Sequence, residues 1–315
     1  MWVGKAVIAT QAEAYVRFRP WPGAANLAWV AQAVMAVRSA KVFIVTGKGG
    51  VGKSYVSRSL AEGSARAGLR TAWVSLGSAD CGRRQAGPGV AAVAIDPRQA
   101  LASALTKMVR FRLLSRRLMD SRTFTAVAAA APGLGDLVTL SAIADLASRD
   151  QAGTFDSVVV DGPASGQTVA LISSAHTLKG LPLIGPLRRM SEQLRSMVTD
   201  PRRLSVVITT TAEELPVAET FELQTRLSAL GVSQAARVVN AVYPDHGNHG
   251  QREWIAAAGA FPDAALHIER RRRQLASLEV LGDPTSRLLL PYSFTGVAED
   301  AVAEDLWAKI GGPQP

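Results

Sequence analysis

Apolar positions along the chain gather into short, dense runs separated by polar or glycine-containing stretches. Lys41 to Thr46, Thr71 to Ser75, Phe155 to Val160, Leu204 to Thr209, Arg237 to Asn240 and Arg287 to Pro291 are such runs. They are rich in valine, isoleucine and leucine and do not alternate with polar residues, the pattern of strands covered on both faces. Between them lie stretches with helical spacing, one from the residues after Ser54 to about Ala67 and another from Glu213 to Leu230, where Gly231 would stop it. The pattern predicts an α/β fold: a doubly wound, mainly parallel sheet with helices on both faces and strands near 41, 71, 157, 204, 236 and 287. The early apolar run Ala24 to Val37 is broken by Asn26 and Gln32 and falls short of the roughly 20 residues that span a bilayer.

Two segments carry apolar residues at helical spacing beneath a basic face. Lys107 to Arg122 holds six basic residues and one acid, with Met108, Phe111 and Leu118 on its apolar side. Arg188 to Arg203 holds five basic residues and two acids, with Leu187, Met190, Leu194 and Met197 as a cleaner stripe. Four of the six methionines, 108, 119, 190 and 197, lie in or beside these faces, and such side chains suit surfaces that repack around apolar partners. Three readings stand: a groove for a hydrophobic segment, ordinary core packing under a solvated basic face, or contact with nucleic acid or anionic lipid. The last lacks an accompanying series of stacking aromatics.

Composition narrows the classes. At 315 residues, 48% apolar and 19% charged, the chain can bury a sizeable core as one large domain or two small ones, which excludes general disorder. The net charge of +9 resides mostly in the two basic segments. Cys81 is the sole cysteine, which rules out an internal disulfide framework and a multi-cysteine zinc site and suits a reducing compartment. Lys5, Arg17 and Arg19 ahead of the first apolar run imitate a signal peptide, but Arg38-Ser39-Ala40-Lys41 is a poor cleavage site, so a cytoplasmic location is expected. Residues 1–34 read as an extension of no assigned function before a natural-looking start at Met35; 35–310 read as one domain with helical insertions at about 100–150 and 172–203, and 311–315 as a frayed tail.

The chemistry is concentrated where the first strand ends. Gly47-Lys48-Gly49-Gly50-Val51-Gly52-Lys53-Ser54, with Tyr55 next, fits G-x-x-x-x-G-K-[ST] in its strand-to-helix setting, the signature of a P-loop NTPase. Its glycines let successive backbone N–H groups face phosphate oxygens, and the helix N-terminus adds partial positive charge. Lys53 is expected on the β and γ phosphates of ATP and Ser54 on Mg²⁺. Asp161, at the carboxyl end of the third predicted strand, is the expected second magnesium-site residue, and the glycine-containing loop Gly162 to Thr168 behind it is placed to respond to the γ-phosphate. His246 and His249 flank a glycine loop without a third ligand, and Glu269 to Gln274 reads as a solvated basic helix face.

The sequence GKGGVGKS, with its additional Lys48, resembles the deviant P-loop of the ArsA-type anion-pump ATPases, the guided-entry targeting ATPases and the MinD and ParA positioning ATPases. Asp161, Gly166 and Thr168 resemble the D-T-A-P-T-G-H-T switch loop of the ArsA and guided-entry branch. Ile95-Asp96-Pro97, Pro132 to Asp136, Glu213 to Thr220, Val238-Val239-Asn240, and Arg287 to Pro291 with Gly296 are similar to further elements of that branch in order. The resemblance implies an ATP-binding, ATP-hydrolysing dimer, homomeric or with a related chain, in which Lys48 reaches the partner's nucleotide and Asn240 reads adenine. It also implies that the two insertions hold a hydrophobic client helix. Two departures stand out. Gly77 occupies the place of the family's water-activating aspartate, with Asp80 three residues on, and there are no cysteine pairs for zinc or arsenite. A positioning role would need a lipid-seeking tail, and Glu299, Asp300, Glu304 and Asp305 against Lys309 make the C-terminus too acidic for one. A non-catalytic regulatory subunit is the remaining alternative, suggested by Gly77.

Overall fold

The computed structural model describes residues 40–77, 89–100, 133–148, 155–177, 186–243, 262–282 and 287–292. Outside them lie residues 1–34, Asp80, Cys81, the basic segment from Lys107 to Arg122, His246, His249, Gly296, the acidic C-terminal residues and the tail.

Seven strands form one sheet: β1 Val42–Gly47, β2 Thr71–Leu76, β3 Val90–Ile95, β4 Ser157–Ala164, β5 Leu204–Thr211, β6 Gln234–Val242 and β7 Leu288–Pro291. Their order is β3-β2-β4-β1-β5-β6-β7, and every pairing is parallel. The chain winds outward from β1 to β3, returns through β4 to β1's other side and proceeds to β7, so the winding reverses beside β1 and all carboxyl ends share one edge. That is the doubly wound arrangement expected, with ligand-binding loops at the reversal.

Six helices are described: α1 Lys53–Arg66, α2 Leu134–Leu146, α3 Ser165–Thr177, α4 Pro186–Thr199, α5 Glu214–Ala229 and α6 Pro262–Val280. Alternate residues of each central strand feed opposite faces, as a pleat requires. On one face Phe43, Val45, Trp73, Val159 and Val207 pack against Val56, Leu60 and Ala61 of α1. On the other, Val42, Ile44, Val158, Val160, Val206 and Ile208 are covered by apolar residues of α2 to α5. A third cluster joins Val239 and Val242 of β6 to Leu278 of α6 and neighbouring Leu281.

The helix ends follow local chemistry. After α5, Gly231 adopts φ +70°, its N–H donates to Ser228 O at 3.0 Å, and Val232 N–H donates to Leu227 O at 3.0 Å. This is the double hydrogen bond of a Schellman stop, with Val232 and Leu227 buried together in the core. Asp96 and Pro97 similarly start a short helical turn: the Arg98 N–H donates to Asp96 Oδ1 at 2.8 Å, and proline occupies the position where no N–H is needed.

Two expectations need correction. Strand β3 was not among the predicted strands; its sequence Val-Ala-Ala-Val-Ala-Ile is alanine-rich and lies half exposed on the sheet edge, so it lacks the dense branched signal of the others. Within the expected insertion at 172–203, α4 belongs to the main core. Leu194 and Met197 are 3% and 2% exposed, buried with Val198 against the sheet and its helices, and Met190 packs beside them. Ordinary core packing therefore accounts for this stripe, while Arg189, Arg195 and Arg202 face outward.

Candidate nucleotide site

The loop between β1 and α1 takes a positive φ at Gly47, Gly50 and Gly52, and at two of them there is also no room for a side chain. Gly47 has φ +152°, and a Cβ there would lie 1.9 Å from Thr209 O of β5. Gly52 has φ +93°, and its Cβ would meet Asn240 Nδ2 at 2.2 Å. Between them, Gly49 and Gly50 have open space where side chains would stand, leaving the backbone exposed to an incoming group. Helix α1 then begins with no side-chain cap on Gly52 and no acid in its first turn. The partial positive charge of the helix start is thus not offset by a side chain of its own first turn and is available to an anion. Tyr55 packs partly buried against the α1-side core, so its ring is a packing element.

Two lysines converge on this loop. Lys53 Nζ donates to Lys48 O at 2.8 Å across the loop. Burial lowers the Lys53 pKa, and the negative charges of Asp161 and Glu219 act against that loss. Lys48 Nζ is held by Glu219 Oε1 at 2.8 Å in a half-exposed ion pair. Glu219, carried by α5, thus touches one lysine and acts on the other. In the sequence Glu219 stands out only as part of the Glu213 to Thr220 segment, because its pairing depends on where β5 delivers α5.

Asp161 lies in register with Val45 of β1 on one side and Ser75 of β2 on the other. It sits three residues before the end of β4, and its negative charge acts on Lys53. The segment behind it differs from the expected loop: β4 continues through Gly162 and Pro163, and α3 begins at Ser165. Close packing explains the extension, since a Cβ on Gly162 would lie 2.5 Å from Val45 O. Two buried hydroxyls tie the junction together. Thr46 Oγ1 donates within 2.8 Å of Thr168 Oγ1 and 3.0 Å of Pro163 O, and Thr168 Oγ1 lies 3.1 Å from the same carbonyl. The residue preceding the glycine loop is thereby linked to the first turn of α3. Thr46 carried no motif signal, only its place next to Gly47.

At the far end of the loop, Asn240 Nδ2 donates to Val51 O at 3.0 Å, so β6 borders the loop near its own end. Gly77 follows β2 at the same edge, its N–H bonded to Ile95 O at 3.1 Å, with φ +140° and open space around its would-be Cβ. No side chain at this position reaches the loop.

The donor set suits a polyphosphate and its counter-ion: an open glycine backbone, an uncapped helix start, two amines, the Ser54 hydroxyl in the first helical turn and one carboxylate. Among the described residues no group of three His, Cys, Asp or Glu could hold a metal by itself. A divalent cation here would share its ligands with phosphate oxygens, which is how magnesium usually binds.

A parallel doubly wound sheet with a glycine loop and lysine at the end of its central strand defines the class: an α/β protein with a P-loop NTPase-like fold. Residues 40–185 match the anion-transporting ATPase family. The chain is also 24% identical over 244 residues to the ATPase BagA of Mycobacterium tuberculosis, covering 71% of this chain and 70% of the relative. A protein of Mycobacterium bovis provisionally named an ATPase, Mb3704, matches at the same identity and coverage. Match and relatives together support the ArsA-type ATPase family for this chain, and with it an ATPase-type function. No helix among the described residues is long and apolar enough to cross a membrane.

Proposed function

We propose that the chain is an ATP-binding and ATP-hydrolysing switch that works as a dimer. The observation that carries this reading is the convergence of Lys48, Lys53, Asp161 and Glu219 on one open glycine loop at the reversal of the sheet. The Lys53 amine exchanges its contact with Lys48 O for the β and γ phosphates. Ser54 and Asp161 hold Mg²⁺, which when bound neutralises charge on the transferring phosphoryl group. Asn240 faces the adenine. Lys48 leaves Glu219 and reaches the nucleotide of the second subunit, so ATP shifts the equilibrium toward the closed pair. Thr46 and Thr168 carry a change at the glycine loop into α3, which packs on α2 and α4. The partner is a second copy or a related chain. A hydrophobic client would have to use Met108, Phe111 and Leu118, because Leu194 and Met197 are committed to the core.

A second reading is favoured by Gly77, where no carboxylate stands to activate water. In it the chain binds ATP tightly and hydrolyses it slowly, as the regulatory half of a heterodimer or with a partner's acid completing the site. One experiment addresses both: isothermal titration with Mg-ATP, together with turnover and sedimentation, for wild type, Lys53→Ala and Lys48→Ala. Lys53→Ala is expected to abolish binding, and Lys48→Ala to bind ATP yet fail to dimerise with it. Binding and dimerisation without turnover would select the second reading; absence of any heat of binding to folded wild type would end both.

A further inference from the structure

The basic run from Glu269 to Gln274 was expected to be a solvated face, and exposed Arg273 pairs with Glu269 of its own helix at 2.9 Å. Gln274 is different: it is 7% exposed and makes two hydrogen bonds to the backbone where β6 ends. Its Oε1 accepts from Tyr243 N–H at 2.7 Å, and its Nε2 donates to Ala241 O at 2.8 Å. These groups flank Val242, at a place where β6 shifts register against β7 between Val239 and Val242. Ala241 has φ +56°, the sole positive φ of a residue other than glycine among the described residues. Alanine gains nothing from that conformation, so the surroundings must impose it. The clamp is seconded by Arg270, whose Nη1 donates to Tyr243 Oη at 2.9 Å, and by Tyr292, which stacks on Tyr243 at 4.8 Å and 7°.

The residue immediately before this kink is Asn240, which bonds Val51 O of the glycine loop. We infer that Gln274 is a positioning residue for the base end of the nucleotide site: by holding the Ala241 kink it aims the Asn240 amide, and so helps select which base is bound. This rests on the ATP reading above. Only a group that both accepts and donates can satisfy the two backbone atoms, and an amide of glutamine length does so. A methionine would leave a buried N–H and C=O unpaired, and a glutamate would set a carboxylate against Ala241 O.

The test compares Mg-ATP, Mg-GTP and inorganic tripolyphosphate binding by calorimetry in wild type, Gln274→Met, Asn240→Ala and the double variant. Gln274→Met is expected to weaken ATP binding about tenfold, corresponding to the loss of a buried hydrogen bond or two. ATP preference over GTP should fall and tripolyphosphate affinity should not change. On Asn240→Ala the same substitution should add less than about twofold, since coupled residues are not additive. Equal weakening of ATP and tripolyphosphate, unchanged ATP affinity in a folded variant, or full additivity with Asn240→Ala would overturn the inference. If Gln274→Met does not fold, Gln274→Glu, which keeps the size and the acceptor, is held to the same outcomes. Wild type that binds tripolyphosphate but shows no base preference would remove the ATP reading first, a result distinct from failure of the Gln274 comparison.

Discussion

At the scale of single residues, the site is governed by a contest for lysines. Glu219 holds Lys48 at 2.8 Å and adds its negative charge to the field around Lys53. Both effects oppose the arrival of a triphosphate. Removing that charge in Glu219→Gln should therefore free Lys48 and tighten ATP binding by up to about fivefold, the upper end for a half-exposed ion pair. Calorimetry at two salt concentrations checks this, and the gain should shrink at high salt. Unchanged or weaker binding would show that Glu219 serves the bound nucleotide. The glycines obey a different logic. Gly47 is excluded from change by a backbone oxygen of the neighbouring strand, whereas Gly231 has room for a Cβ, with Thr199 Cγ2 at 3.7 Å, and is constrained by its φ alone.

At the scale of elements, α4 shows how one amphipathic pattern can serve two readings. Its stripe looked equally suited to a core and to a client groove, and the helix spends it on the core. Leu194→Ala should cost about 2–5 kcal/mol of stability, as large-to-small core substitutions do, while Arg195→Ala on the outer face should change little. Denaturant unfolding of the two variants separates them, and a negligible loss for Leu194→Ala would reopen the groove reading. The same contrast explains what was legible beforehand. Strands β1, β4 and β5 announced themselves because burial on both faces forces dense branched apolar runs, and β7, though at the other edge, because it is a leucine run. The glycine loop was legible because backbone geometry restricts it to few sequences. Strand β3 was not, since an edge position tolerates alanine. The extension of β4 through Pro163 was hidden by residues that usually mark turns. Glu219, Thr46 and Gln274 could not be found because their roles arise from contacts between segments far apart in sequence.

For the whole molecule, one surface pair fastens the edge opposite the site. Arg70, before β2, makes a two-pronged ion pair with Asp156, before β4, at 2.9 Å on each prong, and its N–H adds a third contact at 3.1 Å. The hydrogen bond from Arg70 is the first cause that brings the Asp156 carboxyl down to about 2. Since an unfolded aspartate titrates near 3.9, the pair's contribution is fully present above about pH 4 and fades as pH falls toward about 2. The melting-temperature gap between wild type and Asp156→Asn should accordingly be constant at neutral pH and close over that acid range. Exposure of both side chains keeps the gap small. A final consequence comes from the order of the strands. The glycine loop and Asp161 ride on adjacent strands, and the hydroxyl contact joining them, from Thr46 to Pro163, spans 117 positions of chain. No fragment ending before β4 can own a finished phosphate cradle, so ligand affinity should be absent until synthesis has passed the middle of the chain, and nucleotide should act as a reporter of chains folded through β4.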